Sequence, residues 1–278
     1  IATATGKRIY NHTSMGLVSQ AFRESDIDRL EGHIAIGHTR YSTTGSTHIQ
    51  NAQPILARSV SGEDESELAL AHNGNVINAE DLRRELSEWG CTFVATSDTE
   101  VIAQLLANAP GADWPEKVSY MMRRLQGAYS LTVLTKDSLM GIRDPRGVRP
   151  LCIGKLNNGW VIASESCALD HLGAQYLRDV EPGETVIVDE RGMTSIPYHG
   201  ELPNPAPCVF EYIYFARPDS LLGGKLTYLS RQTMGRQLAK EHPVDADMVI
   251  GIPDSATAAA VGYAQEAGIP YSEGLVKN

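Results

Sequence analysis

Three prolines fall within five residues in Pro203-Asn204-Pro205-Ala206-Pro207. Each lacks the N–H that a strand ladder or a helix interior needs, so neither element runs through this stretch. The composition shifts at His199, the segment His199 to Pro207 reads as a linker, and a second unit begins at Cys208. The two sides carry different patterns. Before the prolines, Ile34 to His38, Tyr129 to Thr135, Trp160 to Ser164 and Glu184 to Asp189 have the β-branched, alternating character of strands. Helices are expected at Asn78 to Trp89, Asp98 to Asn108 and Pro115 to Leu125. Asn78 with Asp81, and Ser97 with Glu100, form capping boxes for the first two. Ala128 to Tyr198 reads as antiparallel meanders. After the prolines, Cys208 to Ala216 is a strand-like aromatic run and Thr227 to His242 is helical. Asp247 to Ile252, a small-residue helix and Ile269-Pro270-Tyr271 then form a βαβ unit with a parallel sheet. The first unit is thus α+β and the second α/β.

The net charge of −10 argues against a nucleic-acid groove or an anionic membrane surface, because both reward clustered Lys and Arg. Small molecules or further copies of the chain are the expected partners. Cys91, Cys152, Cys167 and Cys208 form no CxxC pair, which fits a reducing cytosol and a cytoplasmic protein. No apolar run reaches the roughly 18 residues that cross a bilayer. The start lacks a signal peptide and an initiator Met, and the end, EGLVKN, lacks a stop signal, so both ends read as cut from a longer protein.

Three segments of the first unit end strands or open helices with polar groups: GHTRYSTTG at 37–45, HNGN at 72–75 and ATSDTE at 95–100. Arg40 has the donor fork for a bidentate carboxylate pair, and equally for a surface or interdomain ion pair. Asp98, at a helix start, is placed to complement the helix dipole or to cap the helix. Asn73-Gly74 is the commonest short turn signal. It is also an arrangement in which a side-chain amide and an unobstructed N–H could face one developing negative charge.

Taken together, GHTRYSTTG, AHNGNVINAEDLRREL and TSDTEVIAQLL resemble the glutaminase domain of N-terminal-nucleophile (class II) amidotransferases. The resemblance implies an αββα sandwich over residues 1–200. It also implies glutamine held by its carboxylate on Arg40 and by its amino group on Asp98, with Asn73 and Gly74 as the oxyanion hole. IRDPRGVRPLCIGK, ASESCALD, EYIYFARPDS and VIGIPDSATAAAVGYAQEAGIPYSEGLVKN narrow the likeness to the glutamine phosphoribosylpyrophosphate amidotransferases. In that family residues 208–278 would begin a type I phosphoribosyltransferase domain. No sugar-isomerase domain or ATP-pyrophosphatase loop is present.

From this resemblance Ser255 is expected near a Mg2+ and phosphoribosylpyrophosphate site, although an ordinary helix N-cap explains it too. Cys208 stands where some members bind a [4Fe-4S] cluster, and one thiolate alone holds no cluster. The other reading of Cys208 is a buried, inert thiol, and Cys91, Cys152 and Cys167 read as core residues. The resemblance further implies inhibition by purine nucleotides and a homotetramer. The family's nucleophile is an N-terminal cysteine, which none of the four cysteines replaces. The chain as given is therefore expected to lack turnover, and the alternative is a non-catalytic glutamine- or nucleotide-binding regulatory protein.

Overall fold

In the computed structural model, which describes residues 1–40, 48–61, 67–198, 200 and 203–277, the elements follow the chain as β1 (Ala2–Ala4), β2 (Ile9–Asn11), α1 (Val18–Ala21), α2 (Glu24–Ile27), β3 (Ile34–Ile36), β4 (Ile55–Ala57), β5 (Leu68–Val76), α3 (Ala79–Glu88), α4 (Asp98–Ala107), α5 (Trp114–Arg124), β6 (Gly127–Leu134), β7 (Leu139–Arg143), β8 (Cys152–Leu156), β9 (Gly159–Ala163), α6 (Ser166–Leu172), β10 (Gln175–Asp179), β11 (Thr185–Asp189), β12 (Gly192–Ile196), β13 (Leu221–Leu222), β14 (Lys225–Leu226), α7 (Thr227–Glu241) and α8 (Thr257–Ala267). Two compact units result, one of residues 1–151 with 180–206, the other of 152–179 with 207–278.

In the first unit six strands run in the order β12-β11-β7-β6-β5-β4, every pair antiparallel. Residues Leu68 to Ala71 are all buried, as expected of a strand covered on both faces, and this is why they read as a continuous apolar run. One cover is helical. Leu82 and Leu86 of α3, Val118, Met121 and Met122 of α5, and most of α4 pack on Leu68, Leu70, Tyr129, Leu131 and Val133. The other cover is the small sheet β2-β1-β3, which lies against β5 and β6. The α+β sandwich expected from the sequence is present.

Several local readings need correction. Asn73-Gly74 is not a turn: it lies inside β5, in register with Ser130 and Tyr129 of β6, and the chain leaves the ladder only after Val76. The eight-residue pairing with β6 overrides the turn propensity of the dipeptide. Neither capping box forms. Asn78 donates to the Arg124 carbonyl and accepts from Gln126 N–H, tying the end of β5 to the entrance of β6. Glu100 accepts from Val94 and Ala95 N–H, and Ser97 Oγ is buried with no hydrogen-bond partner among the described residues. His199, Glu201 and Leu202 of the linker and Tyr41 to Gly45 of the GHTRYSTTG segment lie outside the described residues.

In the second unit β8, β9 and β10 form an antiparallel sheet in the order β10-β8-β9, with Leu169 of α6 packed on it. That helix interrupts what the sequence presents as unbroken meander. The ASES and RPDS runs meet here, since Glu165 accepts from Arg217 N–H and Ser220 Oγ. Cys208 to Ala216 is not a strand. Residues Glu211–Phe215 coil into a wide helical turn, because buried Arg231 takes the carbonyls of Tyr212 and Ala216 at 2.7 Å each. A guanidinium thereby satisfies end carbonyls that a strand would need to pair elsewhere. The βαβ connection reduces to a single parallel bridge, Val249 with Tyr271, flanking α8. One pair of short strands is marginal by itself. α8 packs instead on α7, where a Cβ at Gly235 or Gly262 would meet the backbone of Ala259 or Gln232.

Candidate active site

The pleat of β5 organises the site. Tyr129 turns both its N–H and its carbonyl toward Asp144 at the end of β7, so its pairing with Gly74 is the type in which no ladder bond is exchanged. The N–H groups of His72, Gly74 and Val76 consequently point to the other edge of β5, where β4 pairs only as far as Leu70. Side chains take the outer two. His72 N–H donates to Gln53 Oε1 at 2.7 Å, and Val76 N–H donates to Asp98 Oδ2 at 2.9 Å. The Gly74 N–H lies between them on an edge that no strand among the described residues covers. Gly74 has to be glycine for a separate reason: a Cβ there would collide with the Ala128 carbonyl of β6.

Asp98 is 7% exposed at the start of α4. Burial alone would raise its carboxyl pKa, but His72 and the N–H groups of Val76 and Thr99 outweigh it and leave the group below its ordinary value. His72 Nδ1 is 3.7 Å from Asp98 Oδ2 and 3.5 Å from Thr99 Oγ1, while Nε2 is 3.5 Å from the Ala128 carbonyl. A carbonyl only accepts, so Nε2 carries a proton, while Nδ1 faces both the Asp98 carboxylate and the Thr99 hydroxyl. Gln53 Nε2 closes the network on Thr99 Oγ1 at 3.0 Å. Asn51 holds the segment before α4 through Thr96 N–H and Thr96 Oγ1 at 2.8 and 2.9 Å.

Arg40 follows β3. Its charge acts on His38, whose imidazole pKa is brought down to about 4 by burial first, against a raising hydrogen bond to the His72 backbone, with the electrostatic effect of His72 and Arg40 adding to the drop. On the opposite face of β5 the Asn73 side chain accepts from Arg149 Nη2 at 2.9 Å. The structure thus joins Asp98 to the strand carrying Asn73 and Gly74, and it places Arg40 within electrostatic reach of His38. His72, Gln53, Asn51, Thr99 and Arg149 escaped the sequence reading. Only His72 had a signal, its position next to Asn73.

Ser255 and Cys208 lie in the second unit. Ser255 is half-buried ahead of α8, beside Asp254, whose carboxylate meets Lys277 Nζ at 3.1 Å. Cys208 is half-buried before the helical turn. Among the described residues no three His, Cys, Asp or Glu side chains gather to hold a metal ion, so each position could supply at most one ligand of a larger set. Burial raises the thiol pKa of Cys91, Cys152 and Cys167, that of Cys152 to about 12, which disfavours the nucleophilic thiolate. Cys91 and Cys152 are core residues as read, whereas Cys167 is only half-buried. A cleft of about 520 Å3 opens between α5 and β11–β12 beside Tyr120 and Tyr198, away from Arg40, Asn73, Gly74 and Asp98. No helix among the described residues is long and apolar enough to cross a membrane.

Residues 38–171 match the glutamine amidotransferase domain family. Over its whole length the chain is 49% identical to an amidophosphoribosyltransferase of Synechocystis sp., of which it covers 56%. Over 95% of its length it is 46% identical to that of Archaeoglobus fulgidus, of which it covers 57%. It superposes in full, with a TM-score of 0.91 and 40% identity, on 59% of the glutamine phosphoribosylpyrophosphate amidotransferase from B. subtilis complexed with ADP and GMP. The chain therefore spans little more than half the length of these relatives.

Proposed function

The chain belongs to the glutamine phosphoribosylpyrophosphate amidotransferases, also named amidophosphoribosyltransferases, and on that premise we propose that the intact protein converts glutamine, 5-phosphoribosyl-1-pyrophosphate and water to 5-phosphoribosylamine, glutamate and pyrophosphate. This is the first committed step of purine synthesis. Residues 1–200 would act as the glutaminase domain and 208–278 as the start of the phosphoribosyltransferase domain. Arg40 would hold the carboxylate of glutamine and Asp98 its ammonium, opposite charges at the two ends of a zwitterion. An attacking thiol, distinct from the four cysteines described, would add to the amide carbon. The oxygen that becomes negative would then take hydrogen bonds from Gly74 N–H and the Asn73 amide.

The observation that supports this reading best is the Gly74 N–H, left on a strand edge that no strand among the described residues covers, two residues from the N–H that Asp98 accepts. Mg2+ at Ser255 and a [4Fe-4S] cluster on Cys208 are proposals for the intact protein. The metal ion would screen the pyrophosphate leaving group, and the residues described here hold neither group unaided. Cytoplasmic location, inhibition by purine nucleotides and a homotetramer belong to the same proposal. A purely regulatory role has no support in the relatives, all of those compared being named for the transferase. The test is glutamine-dependent pyrophosphate release from phosphoribosylpyrophosphate by the full-length protein. Its absence in a folded preparation overturns the assignment.

A further inference from the structure

We propose that Arg149 is a positioning residue for the glutaminase reaction: it sets which end of the Asn73 amide faces the substrate. The proposal rests on the reading of Asn73 and Gly74 as an oxyanion hole. A side-chain amide has an accepting end and a donating end of nearly equal size, and only the NH2 end stabilises a developing oxyanion. A guanidinium carries donors and no acceptor. With Arg149 Nη2 at 2.9 Å from Asn73 Oδ1, the flipped amide would set donor against donor, so the oxygen must face Arg149 and the nitrogen must face away.

The rest of the IRDPRGVRPL run holds the backbone that carries that guanidinium. The Arg149 carbonyl accepts from Ser130 Oγ at 3.2 Å and from Arg143 Nε at 2.9 Å. Arg143 also donates to the carbonyls of Val180 and Gly147, at 2.6 and 3.0 Å. Asp144, fully buried, accepts from the N–H groups of Arg146 and Val148 and so folds the loop between Arg143 and Arg149. Ser130 is itself the cross-strand neighbour of Asn73. The loop is therefore anchored on the same pair of strands that carries the amide, and a shift of one carries the other with it.

The test is a double-mutant cycle in the full-length protein, reading glutamate release. Arg149→Met should lower kcat roughly 10-fold, part of the 10²- to 10³-fold typical of losing an oxyanion donor outright, with KM for glutamine little changed. In an Asn73→Ala background the same substitution should change kcat less than about twofold, since the group it orients is gone. Equal losses in both backgrounds, or no loss in either, overturn the proposal. If Arg149→Met does not fold, Arg149→Lys carries the cycle: it keeps the charge but not the planar fork. Its kcat should fall several-fold with Asn73 present and not without it. An undiminished kcat in Asn73→Ala alone would instead discard the oxyanion-hole reading, which keeps the two failures distinct.

Discussion

The Asp98 carboxylate accepts the Val76 N–H at 2.9 Å, so the residue proposed to hold the substrate's ammonium also fastens α4 to β5. Asp98→Asn retains an oxygen for Val76 and removes the charge. A hydrogen bond to a charged group contributes about 1.5–3 kcal/mol. KM for glutamine in the full-length protein should therefore rise roughly 10- to 100-fold, at 1.4 kcal/mol per decade. An unchanged KM would remove Asp98 from this role.

His38 gives a pH signature. Its folded pKa, about 4, lies below the ordinary 6.5, so as pH falls the unfolded chain takes up a proton first. Its stability term is intact above pH 6.5 and declines between there and about 4, by about 3 kcal/mol in all. Asp98 does not blur this window. Its carboxyl sits below the ordinary 3.8, so the stability it adds is present above that value and is lost only at lower pH. Urea unfolding at pH 7 and 4.5 should find a smaller loss in His38→Gln than in the parent, and equal losses would count against this assignment.

Gly74→Ala should destabilise the first unit, because the added methyl meets the Ala128 backbone rather than a mobile side chain. Overpacking of this sort costs about 1–3 kcal/mol, readable as a lower Tm. A Tm equal to the parent's would mean that β5 and β6 can part without penalty.

For Gly235→Ala two effects compete. Alanine gains about 1 kcal/mol in a helix interior, but its Cβ would strike the Ala259 carbonyl of α8, and α7 must move away. The contact is with backbone, so the loss should win and lower the Tm. A raised Tm would show that propensity outweighs the clash.

The first unit was legible where one local signal and its tertiary setting agree. The three long helices and the strands β6 and β11 follow from periodicity, and their ends fall within a few residues of the expected ones. Asn73-Gly74 and Cys208 to Ala216 misled for the same reason. Their local propensities, turn and strand, yield to partners far away in sequence, the β6 ladder in one case and the Arg231 guanidinium in the other. The site divides similarly. Arg40, Asp98, Asn73 and Gly74 stand out as residue types in motifs, whereas Gln53 and Arg149 matter through contacts 19 and 76 positions away, which no pattern along the chain encodes.

The alternation of β5 also bears on how such a protein can diverge. His72 faces Asp98 and α4, while its neighbour Asn73 faces Arg149 across the sheet. On the proposed roles of Asp98 and Asn73, substitutions around α4 would act on which amino acid is accepted, and substitutions in the Arg143 to Arg149 loop on how fast its amide is opened. Because one backbone separates the two neighbourhoods, selection could retune specificity and speed one at a time.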